Sequence, residues 1–115
     1  MLSIRRESLQ AAKEEAARVR VEPKLFDYIV SITRATRDSA AVSLGASPRA
    51  AVAMMLASKA IAATEGRDFL IPDDVKAAAP PVLRHRMLLK PEADLEGITP
   101  DQVIAEVLAG IAVPK

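Results

Sequence analysis

The 115-residue sequence contains no cysteine, no tryptophan and only three aromatic residues. The absence of cysteine excludes disulfide bonds and thiolate metal sites. It fits a reducing compartment, so we expect a cytoplasmic protein. Basic and acidic residues nearly cancel, at 16 and 15, which argues against a general surface for nucleic acid or anionic membranes. No apolar run reaches the length of a membrane span, and charges at Arg5, Arg6 and Glu7 argue against a signal peptide.

Motifs that carry catalytic chemistry are also missing from the sequence. There is no glycine-rich phosphate loop with its lysine and Ser/Thr, no G-x-G-x-x-G, no Ser/His/Asp grouping and no cluster of metal ligands. His85 is the only histidine, and no catalytic or ligating companions stand nearby in sequence. We therefore interpret it as a structural or contact residue. The residues alone do not predict a complete enzyme.

Alanine is abundant, occupying 22 of the 115 positions, and it favours helices that pack closely through small side chains. The periodicity of the apolar residues predicts one all-α domain, a small bundle of about five helices. These helices are predicted at residues 3–18, 23–37, 48–64, 72–79 and 100–109. Short β-prone segments at residues 19–21 and 69–71 predict one two-strand pairing.

The third predicted helix, residues 48–64, is apolar almost all round, which is typical of a helix at the buried centre of a bundle. Its methionines, Met54 and Met55, are interpreted as core residues rather than as a cofactor site. Residues 38–46 and the acidic stretch 92–97 are predicted to be loops.

Prolines, caps and glycines mark the predicted helix boundaries. Proline suits the first helical position because its missing N–H has no partner to lose there, which predicts helix starts at Pro23, Pro48, Pro72 and Pro100. Thr99 and Gln102 predict a capping box, and Gly66 predicts the end of the third helix. Because a residue before proline is pushed away from α geometry, the fourth helix is predicted to break near Ala79, with a new turn beginning at Pro81.

Charged residues near the predicted helix ends have simple interpretations. Asp73 and Asp74 lie in the first turn of the fourth helix, where the helix dipole favours acids, and we prefer this account to metal binding or acid–base chemistry. Arg34 and Arg37 lie near the C-terminal end of the second helix, where solvated cations are favourable. A role for these two arginines in binding a partner is the alternative.

The GASPRA stretch, Gly45 to Ala50, is a helix start with an unusually placed arginine. Ser47 suits the N-cap, Pro48 the first helical position, and Arg49 then falls at the second. A cation there opposes the helix dipole by about 0.3–1 kcal/mol. An anion in front of the helix reverses the sign, because free N–H groups and a guanidinium then face one charge, as phosphate requires. A solvated surface arginine is the alternative that these residues leave open.

Three blocks of the sequence form one pattern: GASPRA at residues 45–50, GRDFLIPDDV at 66–75 and PPVLRHR at 80–86. They follow a lead-in made of VRV at residues 19–21, LFDYIV at 25–30 and RATR at 34–37. Together these blocks strongly resemble the C-terminal lid domain of MoxR-type AAA+ ATPases. The resemblance covers nearly the whole chain, and the GASPRA block is its most specific part.

The resemblance implies a role for the GASPRA stretch. In such ATPases the lid packs beside a larger α/β nucleotide-binding domain, and ATP lies between the two. The arginine of the block is the sensor 2 residue, which reaches the γ-phosphate of ATP, and here it is Arg49. The turn from Ser47 to Val52, with Pro48 in it, is the expected pocket wall, and Leu44 and Ala46 are added, more weakly, as adenine-side or loop-side contacts.

The resemblance also implies an assembly. Family members resemble ring-forming, usually hexameric, chaperone-type ATPases, which often act with von Willebrand factor A-domain proteins to mature or activate other complexes. The implied partners are the N-terminal AAA+ core of the same polypeptide, neighbouring subunits and a von Willebrand factor A-domain protein. Mg-ATP is the implied ligand of the full-length protein. His85 and Arg86 match the third block by position, without a role to carry over.

The nucleotide-binding core is absent from the sequence, because Walker A, Walker B, sensor 1 and the arginine finger would all lie before Met1. We therefore expect residues 1–115 to be an excised lid domain, which by itself neither holds ATP stably nor hydrolyses it.

Two other classes of protein are weighed against this interpretation. A free-standing helical protein-interaction module, without ATPase function, is the first alternative. The second is a DNA-binding domain in which the third and fourth helices form a helix-turn-helix. The third helix is too apolar to lie in a DNA groove and the net charge is only +1, so no nucleic acid partner is expected, nor a membrane.

Overall fold

Prolines open five of the helices in the structure, a computed structural model that describes residues 10, 11 and 13–115. The helices are α1 (residues 10, 11 and 13–17), α2 (Pro23–Asp38), α3 (Pro48–Thr64), α4 (Pro72–Leu83), α5 (Pro91–Leu95) and α6 (Pro100–Gly110). The strands are β1 (Val42–Leu44) and β2 (Leu88–Leu89). The small helical bundle predicted from the sequence is confirmed. The start of the first predicted helix, residues 3–9, lies outside the described residues.

The predicted helix starts at Pro23, Pro48, Pro72 and Pro100 are all confirmed. The prediction of a loop over residues 92–97 is wrong, because α5 occupies most of that stretch. Pro91 stands at its first position, acids lie in its first turn, and Ala93 is its one buried residue. A helix with one small buried side chain leaves little apolar periodicity in the sequence, so the pattern does not predict it.

The structure confirms the predicted end of α3 at Gly66 and the predicted capping box at the start of α6, and local hydrogen bonds form both. Gly66 has a positive φ of 78° after α3, a conformation that glycine adopts without steric cost. Its N–H donates to the Ala63 carbonyl at 3.0 Å, and the Arg67 N–H donates to the Ala62 carbonyl at 2.9 Å. This pair is a Schellman motif. At α6, the Thr99 hydroxyl accepts from the Gln102 N–H at 3.2 Å, and the Gln102 side chain accepts from the Thr99 N–H at 2.9 Å.

The core lies where α2, α3, α4 and α6 meet, and α3 contributes one face to it. The buried residues of α3 recur every four positions: Ala50, Met54, Ser58 and Ala62. On the other side, Val52 and Leu56 are 53% and 58% exposed. The prediction that α3 is the buried centre of the bundle is therefore wrong. Of the two methionines, Met54 is fully buried and Met55 packs against the core from its edge.

The sheet joins β1 to β2 in antiparallel order, with Val42 opposite Leu89 and Leu44 opposite Leu88. One extra residue, Ser43, lies between these pairs, and its hydroxyl donates to the Leu88 carbonyl at 3.2 Å. The predicted loop over residues 38–46 thus contains a strand. The predicted pairing of 19–21 with 69–71 is present as a single parallel bridge between Arg20 and Phe69.

The predicted break near Ala79 is wrong, because α4 continues through Pro80 and Pro81 to Leu83. These prolines remove the N–H groups that would bond the carbonyls of residues 76 and 77. Ala77 and Pro81 are exposed, so water can reach the carbonyl of Ala77. On the opposite side Ala79 and Leu83 are fully buried, and their burial holds the helix together. Across the described ranges, no helix has the length and apolar character that crossing a membrane requires.

Tyr28 of α2 carries the least satisfied polar group in the core. Its side chain is 3% exposed, and its hydroxyl has no hydrogen-bond partner among the described residues. Burial, and secondarily the negative charge of Asp73, raise the pKa of the Tyr28 phenol above its ordinary value. The folded state therefore holds this proton more tightly than the unfolded state does.

We expect Tyr28→Phe to raise the free energy of unfolding by about 0.5–1.5 kcal/mol, because a buried unpaired hydroxyl is removed. In the wild type, stability should also fall as the pH rises above about 10, where the unfolded chain begins to lose the phenolic proton first. Tyr28 is the sole tyrosine and there is no tryptophan, so phenolate absorbance reports this group alone. A destabilised Tyr28→Phe variant would show that the hydroxyl has a binding partner.

Candidate functional site

The candidate site is the turn from Gly45 to Arg49, which leads from β1 into α3. Ala46 is fully buried, whereas Ser47, Pro48 and Arg49 are exposed. Leu44, at the end of β1, is 61% exposed. Of the predicted pocket residues, the structure turns the side chains of Ala46 and Ala50 into the core. It leaves Leu44, Ser47, Pro48, Arg49 and Val52 exposed.

The last turn of α2 holds this site in place through the backbone of Ala46. The Ala46 N–H donates to the Thr36 Oγ1 at 3.0 Å, and the Ala46 carbonyl accepts from the Arg37 Nε at 3.0 Å. Thr36 is fully buried, and its hydroxyl donates in turn to the Thr33 carbonyl at 2.6 Å. Both backbone polar groups of Ala46 are thus bound to α2, ten and nine residues earlier in the chain.

Gly45 allows the turn to lie directly against α2. A Cβ atom at this position would lie 2.5 Å from the Cγ of Arg37, 2.6 Å from its Cα and 2.8 Å from its N. Real Cβ atoms do not approach other atoms so closely, and two of the three are backbone atoms. The glycine is therefore required by close approach, and not by its φ angle.

Ser47 occupies the N-cap position of α3, but its hydroxyl caps no N–H of the helix, contrary to the prediction. The reason lies in the backbone: the Ala50 N–H, which an N-cap side chain would bind, donates to the carbonyl of Ser47 itself at 2.9 Å. The first turn of α3 is therefore anchored to α2 through Ala46 rather than by its own cap.

Arg49 is exposed at the second position of α3 and forms no ion pair within residues 10, 11 and 13–115. The sequence carries no acidic residue between Asp38 and Glu65, a stretch that includes β1 and all of α3. Neither α3 nor the preceding turn therefore has a carboxylate that could pair with this guanidinium. The positive end of the helix dipole also repels it. The turn is an electrostatic environment that favours an added anion.

A second charged cluster lies at the opposite end of α3 and is structural. The two terminal nitrogens of Arg67 donate to the Asp74 carboxylate at 2.5 and 2.7 Å, and Arg67 also pairs with Glu65. These bonds, first those to Asp74, raise the pKa of the Arg67 guanidinium above its already high ordinary value. Asp74 also accepts from the Ile71 N–H at 2.9 Å. Elsewhere in the described part of the chain, no group of His, Asp and Glu side chains is arranged to hold a metal.

The block at residues 80–86 contributes surface contacts. Arg84 pairs with Asp101 of α6 through two hydrogen bonds of 3.0 Å, between side chains that are 41% and 55% exposed. His85 lines a shallow cavity beside this pair, together with Thr99. Both His85 and Arg86 are exposed.

Sequence reasoning missed the residues that hold the site. The sequence predicts Arg37 to be a solvated end-of-helix charge or a contact for a partner, but in the structure it binds the backbone of its own chain. The sequence does not predict the contact of Thr36 with the turn, because a threonine near a helix end can form several kinds of hydrogen bond. The only local signal is Gly45, since a glycine just before a helix start indicates close approach of another backbone.

A family model that describes the AAA lid domain matches residues 34–107, from the last turn of α2 into α6. The match includes Thr36, Arg37 and the entire turn that leads to Arg49. The chain belongs to the AAA lid domain family.

Several of its relatives are MoxR proteins. The chain is 38% identical over 112 residues to chaperone MoxR1 of Mycobacterium tuberculosis, covering 90% of this chain and 30% of that protein. It is 40% identical over 111 residues to the uncharacterized protein YeaC of Bacillus subtilis, covering 96% and 35%. The crystal structure of a candidate ATPase from Cytophaga hutchinsonii matches with a TM-score of 0.83 at 32% identity, over 89% of this chain and 34% of that one.

These comparisons confirm the resemblance to the lid of MoxR-type AAA+ ATPases. The chain spans about a third of the length of the relatives that it matches.

Proposed function

We propose that residues 1–115 are the lid of a MoxR-type AAA+ ATPase, and that Arg49 is its sensor 2 arginine, which contacts the γ-phosphate of ATP. The observation that carries this proposal is the exposed guanidinium at the second position of α3, in a stretch without acidic residues. The donor chemistry fits a nucleotide, because a guanidinium and a helix N-terminus both bind phosphate oxygens. Ser47 and Pro48 line the same exposed turn.

Arg49 links the presence of the γ-phosphate to the position of the lid. Catalysis of phosphoryl transfer depends mainly on positioning and on electrostatic stabilisation of charge on the phosphoryl oxygens, which Mg-ATP supplies when bound. The negative charge of the phosphate pairs with the Arg49 guanidinium, which the helix dipole otherwise destabilises. Once the charge is gone, the lid loses this attachment and is free to rotate. The rotation would couple hydrolysis to chaperone-like motion in a ring assembly.

An exposed apolar stripe on α3 supports a large partner at the same site. Arg49, Val52, Leu56 and Ala60 follow one another at intervals of three, four and four residues, so they lie on one face of the helix, and all are exposed. Apolar side chains in such a row favour burial against another surface. Because this chain spans about a third of its relatives, we infer that the occupant is the nucleotide-binding core of the same polypeptide.

The wider assembly follows from the family resemblance. The proposal includes neighbouring subunits in a hexameric ring, a von Willebrand factor A-domain partner and a cytoplasmic location. These are properties of the complete polypeptide, and the lid contributes Arg49 and the α3 face to it.

The test is Arg49→Ala in the complete polypeptide that carries the nucleotide-binding core. We expect kcat for ATP hydrolysis to fall by about 100–1,000-fold, the effect of removing one preorganised donor from a transition state. Lys90→Ala, which removes an exposed cation outside α3 and the turn before it, is the control and should retain turnover within about twofold. Wild-type turnover and nucleotide affinity in Arg49→Ala would refute the sensor 2 assignment.

A further inference from the structure

We propose that Thr36 and Arg37 are positioning residues: through the peptide groups of Ala46, they set the direction in which α3 presents Arg49 to the phosphate. This inference rests on the proposed role of Arg49. It adds two residues outside the GASPRA stretch, at the end of a different helix.

The start of α3 has no side-chain cap of its own. Ser47 provides no side-chain cap, and Pro48 has no N–H. The nearest fixed point before Arg49 is therefore Ala46, three residues earlier, whose N–H and carbonyl are both bound to α2. A displacement of Ala46 would pass directly into the first turn of α3, because only two residues separate it from Arg49.

Both bonds at Ala46 are directional, and the one to Thr36 is buried. Thr36 and Ala46 are both fully buried, so water cannot replace the bond between them. The Thr36 hydroxyl donates its only hydrogen to the Thr33 carbonyl, which leaves its lone pairs to accept from the Ala46 N–H. The Nε of Arg37 donates to the carbonyl of the same residue, Ala46. The buried bond to Thr36 therefore has no substitute unless the turn moves.

The close approach of Gly45 to Arg37 limits how the turn can move. The Gly45 backbone lies so close to Arg37 that there is no space for even a methyl group, so the turn cannot shift inward to compensate for a lost bond. Loss of either hydrogen bond should let it move outward. A misplacement of about 1 Å in a catalytic constellation can cost about 100-fold in rate, so small shifts of Arg49 matter.

The first experiment uses the complete polypeptide and measures kcat and KM for ATP. Thr36→Val keeps the shape of the side chain and removes the hydroxyl, and we expect kcat to fall by about tenfold. Thr36→Ser keeps the hydroxyl and should retain turnover within about twofold. Thr33→Val is the matched control: Thr33 is equally buried one turn earlier, but its hydroxyl binds Ile29 within α2. Arg37→Gln, a change at an exposed residue that leaves the core intact, should also lower kcat.

A double variant separates positioning from general destabilisation. If Thr36 acts through Arg49, adding Thr36→Val to Arg49→Ala should lower kcat by no more than about twofold further, because the effects of residues that act together are not additive. Additive losses would overturn the positioning role while leaving the sensor 2 assignment intact. If Arg49→Ala alone retains full turnover, the proposed function fails and the positioning role fails with it.

A second readout needs no nucleotide. In the 115-residue chain, amide hydrogen exchange of Ala46 should become at least about tenfold faster in Thr36→Val, because the bond that protects this N–H is lost. Exchange at Ala46 should be unchanged in Thr33→Val. Equal exchange at Ala46 in the wild type and in Thr36→Val would overturn the proposal, whatever the ATPase measurements show.

Discussion

Gly45→Ala is expected to lower the free energy of unfolding of this chain by about 2–4 kcal/mol, through overpacking and the loss of hydrogen bonds. The added methyl would lie 2.5 to 2.8 Å from three atoms of Arg37. Two of those atoms belong to the backbone of α2 and cannot rotate away, so the turn itself must move outward. That movement stretches both hydrogen bonds at Ala46, and the damage reaches the start of α3.

Urea denaturation followed by circular dichroism measures this loss. Gly110→Ala is the matched control, since Gly110 ends α6, has no neighbour within 4 Å of an added Cβ and has no positive φ. The control should change stability by no more than about 0.5 kcal/mol. A Gly45→Ala variant as stable as the wild type would mean that the turn can leave α2 freely, which also argues against the positioning role of Arg37.

Asp74→Ala is expected to cost about 2–4 kcal/mol, because one carboxylate serves two partners. The side chain is 2% exposed, accepts from the Ile71 N–H at the start of α4 and binds Arg67 through both oxygens. Its removal leaves the N–H without an acceptor and the guanidinium without its main partner. The expected cost lies below that of a fully buried pair, since the Arg67 side chain is 19% exposed and water can reach it.

Asp73→Ala provides the matched control for this prediction. Asp73 is the neighbouring residue in the same first turn, but it is exposed and contributes little more than its charge to the helix dipole. Its replacement should change stability by less than about 1 kcal/mol. Equal losses in the two variants would show that the dipole, and not the bonds to Arg67 and Ile71, accounts for the effect of Asp74.

The contrast between these two acids illustrates what local chemistry leaves open. Both acids suit the first turn of a helix, and their sequence positions predict the same role for each. Which of them turns inward depends on where the Schellman motif after α3 directs Arg67, seven residues before Asp74. That geometry involves two helices and the turn between them, so no local rule separates the two residues.

Local sequence also does not show which face of α3 is buried. A helix that is apolar on all sides has no periodicity from which its buried face can be chosen. The structure buries the face that contains Met54 and exposes the one that contains Val52 and Leu56. An apolar residue can be needed for a contact that lies outside the chain, and its type alone does not distinguish such a contact from the core.

The sequence by itself determined the helix starts at Pro23, Pro48, Pro72 and Pro100, the helix end at Gly66 and the cap at Thr99, and the family to which the chain belongs. These depend on interactions within a few residues, or on blocks that remain recognisable wherever they lie in space. Only the tertiary structure decided the pairing of β1 with β2, the continuity of α4 through its prolines, and the attachment of Ala46 to Thr36 and Arg37. In each of these cases the partners or the buried surface come from distant parts of the chain, and packing outweighs local preference.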